Sequence, residues 1–402
     1  MRLATVAREF FADVRAQRLR TALTIMGITW GTVAVVALLA FGVGFKRQMV
    51  IRSKGIGDGI VIMFPGRTTK PYEGYPDGRF IRFRESDVSV LRHDIPAIGE
   101  ISPEYGSRNT AVSRGTQVTR PYITGIYPIY GPMRNINVQA GGRFIDPLDM
   151  AQRRRVVVLG DQIDSLLFGN EPAVGKLVNI GNMPFTVIGV MEPKDQSSSY
   201  STRDKDRVFI PSTTYVALFG ARFINNIIYK PKVAAQHGTI ERAVYETLGR
   251  VQHFDPTDHD ALGIWDTAEN LKFFDTFFFG FNVFLAVVGS FTLTVGGIGV
   301  ANIMFIVVRE RTREIGIKRS VGATRHDILL QFLAEAAMIV AIGAALGLAI
   351  SWGLVTLASL FGSNEIVGHP QISPVVVGVT LGLLAAIAAF AGLFPATRAA
   401  NL

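Results

Sequence analysis

The sequence predicts an α-helical integral membrane protein: four transmembrane helices and a large α/β extracytoplasmic domain set between the first and second. Three observations carry this. The 402 residues are 49% hydrophobic and only 18% charged, against roughly 25% charged in soluble proteins. The apolar residues gather into four runs, each long enough for a hydrocarbon core that needs about 20 residues of helix. The basic residues crowd the N-terminus and one short loop, 309–327, whereas the segment 46–275 mixes both signs almost evenly. The net charge of +9 is therefore a topology signal, and no nucleic-acid partner is expected. The chain has no cysteine, which excludes disulfide staples and thiolate chemistry.

Residues 1–20 read as a cytoplasmic amphipathic helix. Leu3, Val6, Ala7, Phe10 and Val14 fall at helical spacing, with Arg2, Arg8 and Arg15 elsewhere around the wheel, a pattern suited to membrane lipid at the inner face. Residues 21–45 are the first span. A cleaved signal has an apolar core of about 7–15 residues ending in small side chains. This run is longer and continues into Phe45-Lys46-Arg47, so it reads as an uncleaved anchor. The second span, 276–308, would measure roughly 50 Å as helix, more than a bilayer core. Tilt absorbs some of the excess. The rest is expected to project outward and pack on the continuation of span one near Lys46–Ile51, forming a stalk. The third span is 328–361, interrupted only by Glu335, and the fourth is 371–397. Basic short loops stay cytoplasmic, which places 1–20, the loop 309–327 and the tail 398–402 inside. The loop 362–370, with no Lys or Arg, then faces outward together with 46–275.

Within 46–275 the pattern is mixed α/β. Strands are expected at Ile60–Phe64, Pro121–Ile126, Arg155–Leu159, Pro184–Met191 and Asn226–Lys230 from their β-branched runs. Helices are expected at Glu85–His93, Asp161–Phe168, Thr213–Phe219 and Thr239–Val251, two of them stopped by Gly169 and Gly220. The loops 66–79 and 194–206, rich in Gly, Pro, Ser and charge, are expected to be mobile. His237, His253 and His259 lie near Asp255, Asp258 and Asp260, but at no recognised metal spacing. Gly175-Lys176 satisfies nothing else of a phosphate-loop pattern. No catalytic, metal or cofactor-binding residue is expected on this chain, which argues against a membrane-anchored enzyme.

Polar groups inside the spans are few. A carboxylate such as Glu335 costs about 2.5–3.5 kcal/mol at a helix centre on insertion scales, and pairing with an inner-leaflet arginine such as Arg18 or Arg20 is expected to relieve it. Asn302 is expected to hydrogen-bond across helices, and Gly27/Gly31, Gly343/Gly347 and Gly378/Gly382 to allow close packing. In the 309–327 loop, Glu314 and Lys318 are four apart in the favourable order for a helical ion pair. A continuous helix with fixed charges is a stiff lever, and Gly316 and Gly322 let the chain turn and admit a partner closely.

The order Val295-Gly296-Gly297-Ile298-Gly299-Val300-Ala301-Asn302, followed by Arg309-Glu310-Arg311-Thr312-Arg313-Glu314-Ile315-Gly316 and Val321-Gly322-Ala323-Thr324-Arg325, resembles the MacB-type ABC transporter permeases. That family includes the lipoprotein-releasing and FtsX-like permeases. Arg155–Gly160, Leu167–Lys176 and Phe185–Met191 extend the resemblance into the outer domain. The resemblance implies a porter-like α/β subdomain near 56–103 and 208–262, interrupted by an inserted strand-rich one. It implies an ABC ATPase on a separate chain, where ATP and Mg would bind, since no Walker A pattern occurs in this sequence. It assigns ATPase coupling to Glu310, Arg313, Glu314, Gly316, Lys318, Arg319, Gly322 and Ala323, and helix packing to Gly296, Gly297, Gly299 and Asn302. A second permease copy or paralogue is implied, and a periplasmic adaptor with an outer-membrane factor is a further partner of such machines. The expected function is movement of the extracytoplasmic domain driven by the partner's ATP hydrolysis, exporting or extracting an amphiphile, peptide or lipoprotein from the bacterial inner membrane. The alternative is an FtsX-like regulator that activates a cell-wall hydrolase without transport.

Overall fold

The computed structural model describes residues 18–196, 198–360 and 370–400. The N-terminal amphipathic helix falls largely outside them, as do nearly all of the short outer loop and the last two residues. The chain divides into two compact units, Met1–Met49 with Phe274–Leu402, and Val50–Phe273.

A first helix, α1 (Arg18–Lys54), leads into the second unit, where β1 (Val61–Pro65), α2 (Glu85–Asp94), β2 (Ile98–Ser107), β3 (Val112–Arg114), β4 (Gln117–Thr119) and β5 (Tyr122–Ile126) follow. Short helices α3 (Tyr130–Met133) and α4 (Pro147–Ala151) precede β6 (Val156–Leu159), α5 (Asp161–Phe168), β7 (Leu177–Ile180) and β8 (Met183–Val190). The unit closes with β9 (Arg207–Pro211), α6 (Ser212–Phe219), β10 (Asn226–Pro231), α7 (His237–Gln252) and β11 (Leu262–Asp266). All eleven strands form one sheet in the order β11-β1-β10-β2-β5-β9-β6-β8-β7-β3-β4. Only β5–β9 and β6–β8 pair in parallel. The first and last parts of the segment thus meet at one side, and the inserted strands extend the same ladder.

The run Ile60-Val61-Ile62-Met63 is apolar throughout because the sheet is buried on both faces, as such runs require. Val61 and Met63 join the cluster under α2 and α7, with Val88, Leu91, Val244 and Leu248. Ile60 and Ile62 point into a second cluster with Ile126, Tyr130 and Phe209. Helices α5 and α6 stop at Gly169 and Gly220, both at a φ of 61°.

Both loops expected to be mobile are instead anchored. Asp258, buried, accepts hydrogen bonds from the Thr69 amide at 2.6 Å and the Thr69 hydroxyl at 2.7 Å. Arg79 Nη2 donates to the Gln252 carbonyl at 2.7 Å. The stretch before β9 is fixed by buried ions. Arg134 Nη2 is 2.7 Å from Asp204 Oδ1, and Lys194 Nζ is 2.7 Å from Asp204 Oδ2. Arg207 Nη1 is 2.9 Å from Glu104 Oε1. The Tyr130 and Tyr200 hydroxyls donate to Glu104 Oε2. Buried charge is tolerable only when paired and hydrogen-bonded in this way.

The other unit is built from α1, α8 (Thr267–Glu310), α9 (Thr312–Ser320), α10 (Arg325–Leu360) and α11 (Pro374–Ala400). Four of these helices are long and apolar enough to cross a membrane. Glycines set their spacing. A Cβ on Gly31 would lie 2.9 Å from Leu293 Cδ2, and one on Gly296 3.3 Å from Ile28 Cγ1, so α1 and α8 nearly touch backbone to backbone. Gly347 faces Thr32 at 2.5 Å and Gly343 faces Ile28 at 2.8 Å, bringing α10 onto α1. Gly297 meets Ile387 of α11 at 2.6 Å and Gly299 meets Thr24 at 3.4 Å. Gly378 and Gly382 meet nothing within 4 Å, so this pair packs no helix among the described residues. Lys46 Nζ binds Asp275 Oδ1 at 2.8 Å, and Phe45 meets Phe278 edge to face.

Candidate coupling region

The loop 309–327 folds into α9 between two interruptions, which corrects the expectation of one continuous helix. The first interruption is at Arg311, at φ −93° and ψ 13°. Beside it the Thr312 hydroxyl lies within hydrogen-bond reach of the carbonyls of Val308 at 3.1 Å and Arg309 at 2.9 Å. A side chain bonding back onto the preceding turn competes with the backbone ladder and bends it. The second is the turn 321–324. Gly322 sits at φ 104°. Its amide donates to the Arg319 carbonyl at 3.1 Å, and the Ala323 amide to the Lys318 carbonyl at 3.0 Å. This is the paired glycine C-cap of a helix. Thr324 then caps α10, its amide donating to Asp327 Oδ2 at 3.0 Å while its hydroxyl accepts from the Asp327 amide at 3.2 Å. Val-Gly-Ala-Thr-Arg is therefore a stop signal followed directly by a start signal.

Polar contacts and a buried apolar side chain hold α9 on the bundle. Ile315 is 3% exposed and joins the cluster of Val308, Ile328 and Ala399. Arg311 Nη1 donates to Glu335 Oε1 at 3.4 Å. Lys318 Nζ donates to Gln331 Oε1 at 3.4 Å, and Gln331 in turn to Glu335 Oε1 at 3.2 Å. Arg319 Nη1 reaches the Ala400 carbonyl at 3.5 Å.

Beside Glu335, which is 3% exposed, the structure sets Arg311, a partner the sequence reading did not name. One turn of the loop brings Arg311 under α10. Glu314 lies 3.9 Å from Arg311 Nε and makes no pair with Lys318, because Lys318 is drawn toward Gln331 and away from the exposed face. Asn302 is exposed, and its expected cross-helix hydrogen bond is absent among the described residues. Of the small-residue positions on α8, Gly296, Gly297 and Gly299 pack closely as described above.

The remaining residues expected to couple share an open surface. Glu310, Arg313, Glu314, Gly316 and Gly322 are exposed, and nothing lies within 4 Å of a Cβ built on Gly316. Ile317 and Val321, 57% and 83% exposed, add an apolar stripe that charge and glycine content did not reveal. Their spacing of four on a helix whose buried anchor is Ile315 was the available signal. Lys318, Arg319 and Ala323 are half-buried and serve the inner side.

A family model described as MacB-like periplasmic core domain matches residues 21–245, and one described as FtsX-like permease C-terminal matches residues 286–402. A macrolide export ATP-binding/permease protein MacB of Azoarcus sp. is 31% identical over 408 residues, covering 100% of this chain and 58% of that protein. The MacB of Bdellovibrio bacteriovorus is 29% identical over 396 residues, covering 98% of this chain and 59% of that protein. The chain thus spans less than two thirds of these relatives. The solved periplasmic region of MacB from Actinobacillus actinomycetemcomitans is 20% identical, with a TM-score of 0.44, covering 55% of this chain and 95% of that one. With matches at both ends and along its whole length, this multi-pass chain belongs to the MacB-like ABC permease family.

Proposed function

We propose that this chain is the permease subunit of an ABC machine, with α9 as the element that receives force from an ATPase partner. The observation that carries the reading is the two-sidedness of α9. One side is fixed to the bundle through Ile315, Arg311 and Lys318. The other presents Arg313, Glu314, Gly316, Ile317 and Val321 to whatever lies beyond. An apolar pair framed by opposite charges on a short, pinned helix suits a protein partner, since apolar side chains carry docking energy and charges select orientation.

In this reading α9, the N-terminus and the C-terminus are cytoplasmic and 46–275 is outside. ATP and Mg bind the partner. Two permease copies match two ATPase copies, and closure of the pair is transmitted through the long helices α1 and α8 to the outer domain. The cargo is an amphiphile, peptide or lipoprotein, delivered through an adaptor and outer-membrane factor. Stimulation of the partner's ATPase in liposomes tests the coupling claim. Glu314→Lys, on the open face, is expected to abolish stimulation while leaving folded protein; unchanged stimulation overturns it. Proteins co-purifying from native membranes separate export from regulation: an adaptor supports export, and a cell-wall hydrolase in its place assigns the FtsX-like role.

A further inference from the structure

The outer unit holds a polar cleft of about 460 Å³ whose walls include Glu85, Tyr105, Arg153, Ser212, Thr213 and Arg222. It lies where α2 and β2 meet the start of α6. Three features of the lining have no use within the fold. The first is Ser212, which is 1% exposed and whose hydroxyl has no hydrogen-bond partner. Buried hydroxyls are rarely left unpaired, and one that is calls for an explanation. Its neighbours show the contrast: Thr213 Oγ1 donates to the Met150 carbonyl at 2.8 Å and Thr214 Oγ1 to the Arg154 carbonyl at 2.9 Å.

The second feature is the start of α6 itself. Its N-cap is Pro211, which supplies no side-chain cap. The first turn of a helix carries amides without intrahelical partners and the positive end of the helix dipole, and so attracts anions. The third is a pair of guanidinium groups. Neither the Arg153 nor the Arg222 side chain makes a hydrogen bond or ion pair with another described residue. Glu85 supplies the opposing charge, but both its oxygens are already engaged by the hydroxyls of Tyr105 and Tyr127. Two cations against one engaged carboxylate leave the lining one positive charge in excess.

We propose that this cleft is a binding site for an oxyanion, the carboxylate or phosphate group of a small ligand or of an amphiphile. Ser212 and the α6 N-terminus donate from the floor, Arg153 and Arg222 clamp from the rim, and Val216 of α6 adds an apolar wall for the attached carbon. The site is independent of ATPase coupling and stands or falls without it.

The test is calorimetric titration of the full chain in detergent with inorganic phosphate and, separately, with acetate, ionic strength being held constant with chloride. One saturable site per chain is expected for at least one of the two, and the tighter anion identifies the group recognised. Arg153→Gln with Arg222→Gln is expected to weaken binding at least about tenfold, the scale of lost charge-assisted hydrogen bonds. Ser212→Ala is expected to weaken it by about threefold to tenfold, and Arg120→Gln, outside the cleft, to leave it unchanged. All of these except Ser212 are exposed side chains, so folding is preserved. Absence of saturable binding by both anions overturns the proposal, as does equal weakening by Arg120→Gln, or indifference to the arginine pair.

Discussion

Arg311 Nη1 lies 3.4 Å from Glu335 Oε1, joining the bend before α9 to a buried carboxylate on a membrane helix. The Arg311 side chain is 15% exposed and that of Glu335 only 4%. The charge on α10 thus helps to seat α9 on the bundle.

Arg311→Met is expected to destabilise the bundle by at least about 1.5 kcal/mol, the usual worth of a hydrogen bond to a charged group. Glu335→Gln in the same chain should recover part of that loss. A double-mutant cycle by thermal unfolding in detergent checks the pair, and strictly additive losses would show that it carries nothing.

Gly316 and Gly322 should separate stability from coupling. Gly322→Val forces a branched side chain to φ 104°, which costs about 1–3 kcal/mol, and is expected to lower both thermal stability and ATPase stimulation. Gly316→Ala sits in a helix interior with open space around it. It should stabilise by about 0.5–1 kcal/mol yet reduce stimulation, because the added methyl stands where the partner is proposed to approach.

Packing glycines should divide by position. Leucine at Gly347, whose Cβ would meet Thr32 Cβ at 2.5 Å and the Thr29 carbonyl at 2.9 Å, must push α1 and α10 apart, and overpacking typically costs about 1–3 kcal/mol. Leucine at Gly382, with nothing within 4 Å, should be tolerated within the same chain. The ratio of folded to aggregated protein after solubilisation reads the difference.

Acid should unlock the stretch before β9. Burial raises the Asp204 carboxyl, but Arg134, Lys194 and Arg207 outweigh it and hold its pKa below the ordinary value. A depressed folded pKa stabilises fully above the unfolded value, about 3.9, and that stability is lost as pH falls through the folded value. Hydrogen-exchange protection in β2 and β9, taken relative to the intrinsic rate at each pH, should be constant from neutral pH to about pH 5 and fall below about pH 4. In Asp204→Asn, protection should be lower at neutral pH and less sensitive to acid.

Much of this was legible in the sequence, because the spans and amphipathic helices have periods that burial imposes. Helices α2, α5, α6 and α7 fall within about two residues of their expected bounds, the usual margin at helix ends. Strand β2 escaped notice. Its Ile-Gly-Glu-Ile-Ser-Pro-Glu-Tyr-Gly-Ser run reads as a loop, yet Ser102 and Glu104 are fully buried. Glu104 is inside only because Arg207, over a hundred positions later, comes to meet it, and no local pattern encodes such a pairing. In the loop 309–327, Gly322 declared the turn in advance, whereas Gly316, read the same way, lies inside α9. The bend at Arg311 did not show, since it has no Gly or Pro to announce it.

The stitching of Ile60 to Thr267 has a mechanical meaning. The Ile60 amide donates to Thr267 Oγ1 at 3.0 Å, while the Thr267 hydroxyl and amide donate back to the Ile60 carbonyl at 2.8 and 3.0 Å. These residues flank β1 and β11, the paired strands at one margin of the sheet. The polypeptide enters and leaves the domain beside a single rivet, so a pull along either chain loads that rivet and the outermost ladder first. Nine further seams of backbone hydrogen bonds then spread the load to β4 at the far margin.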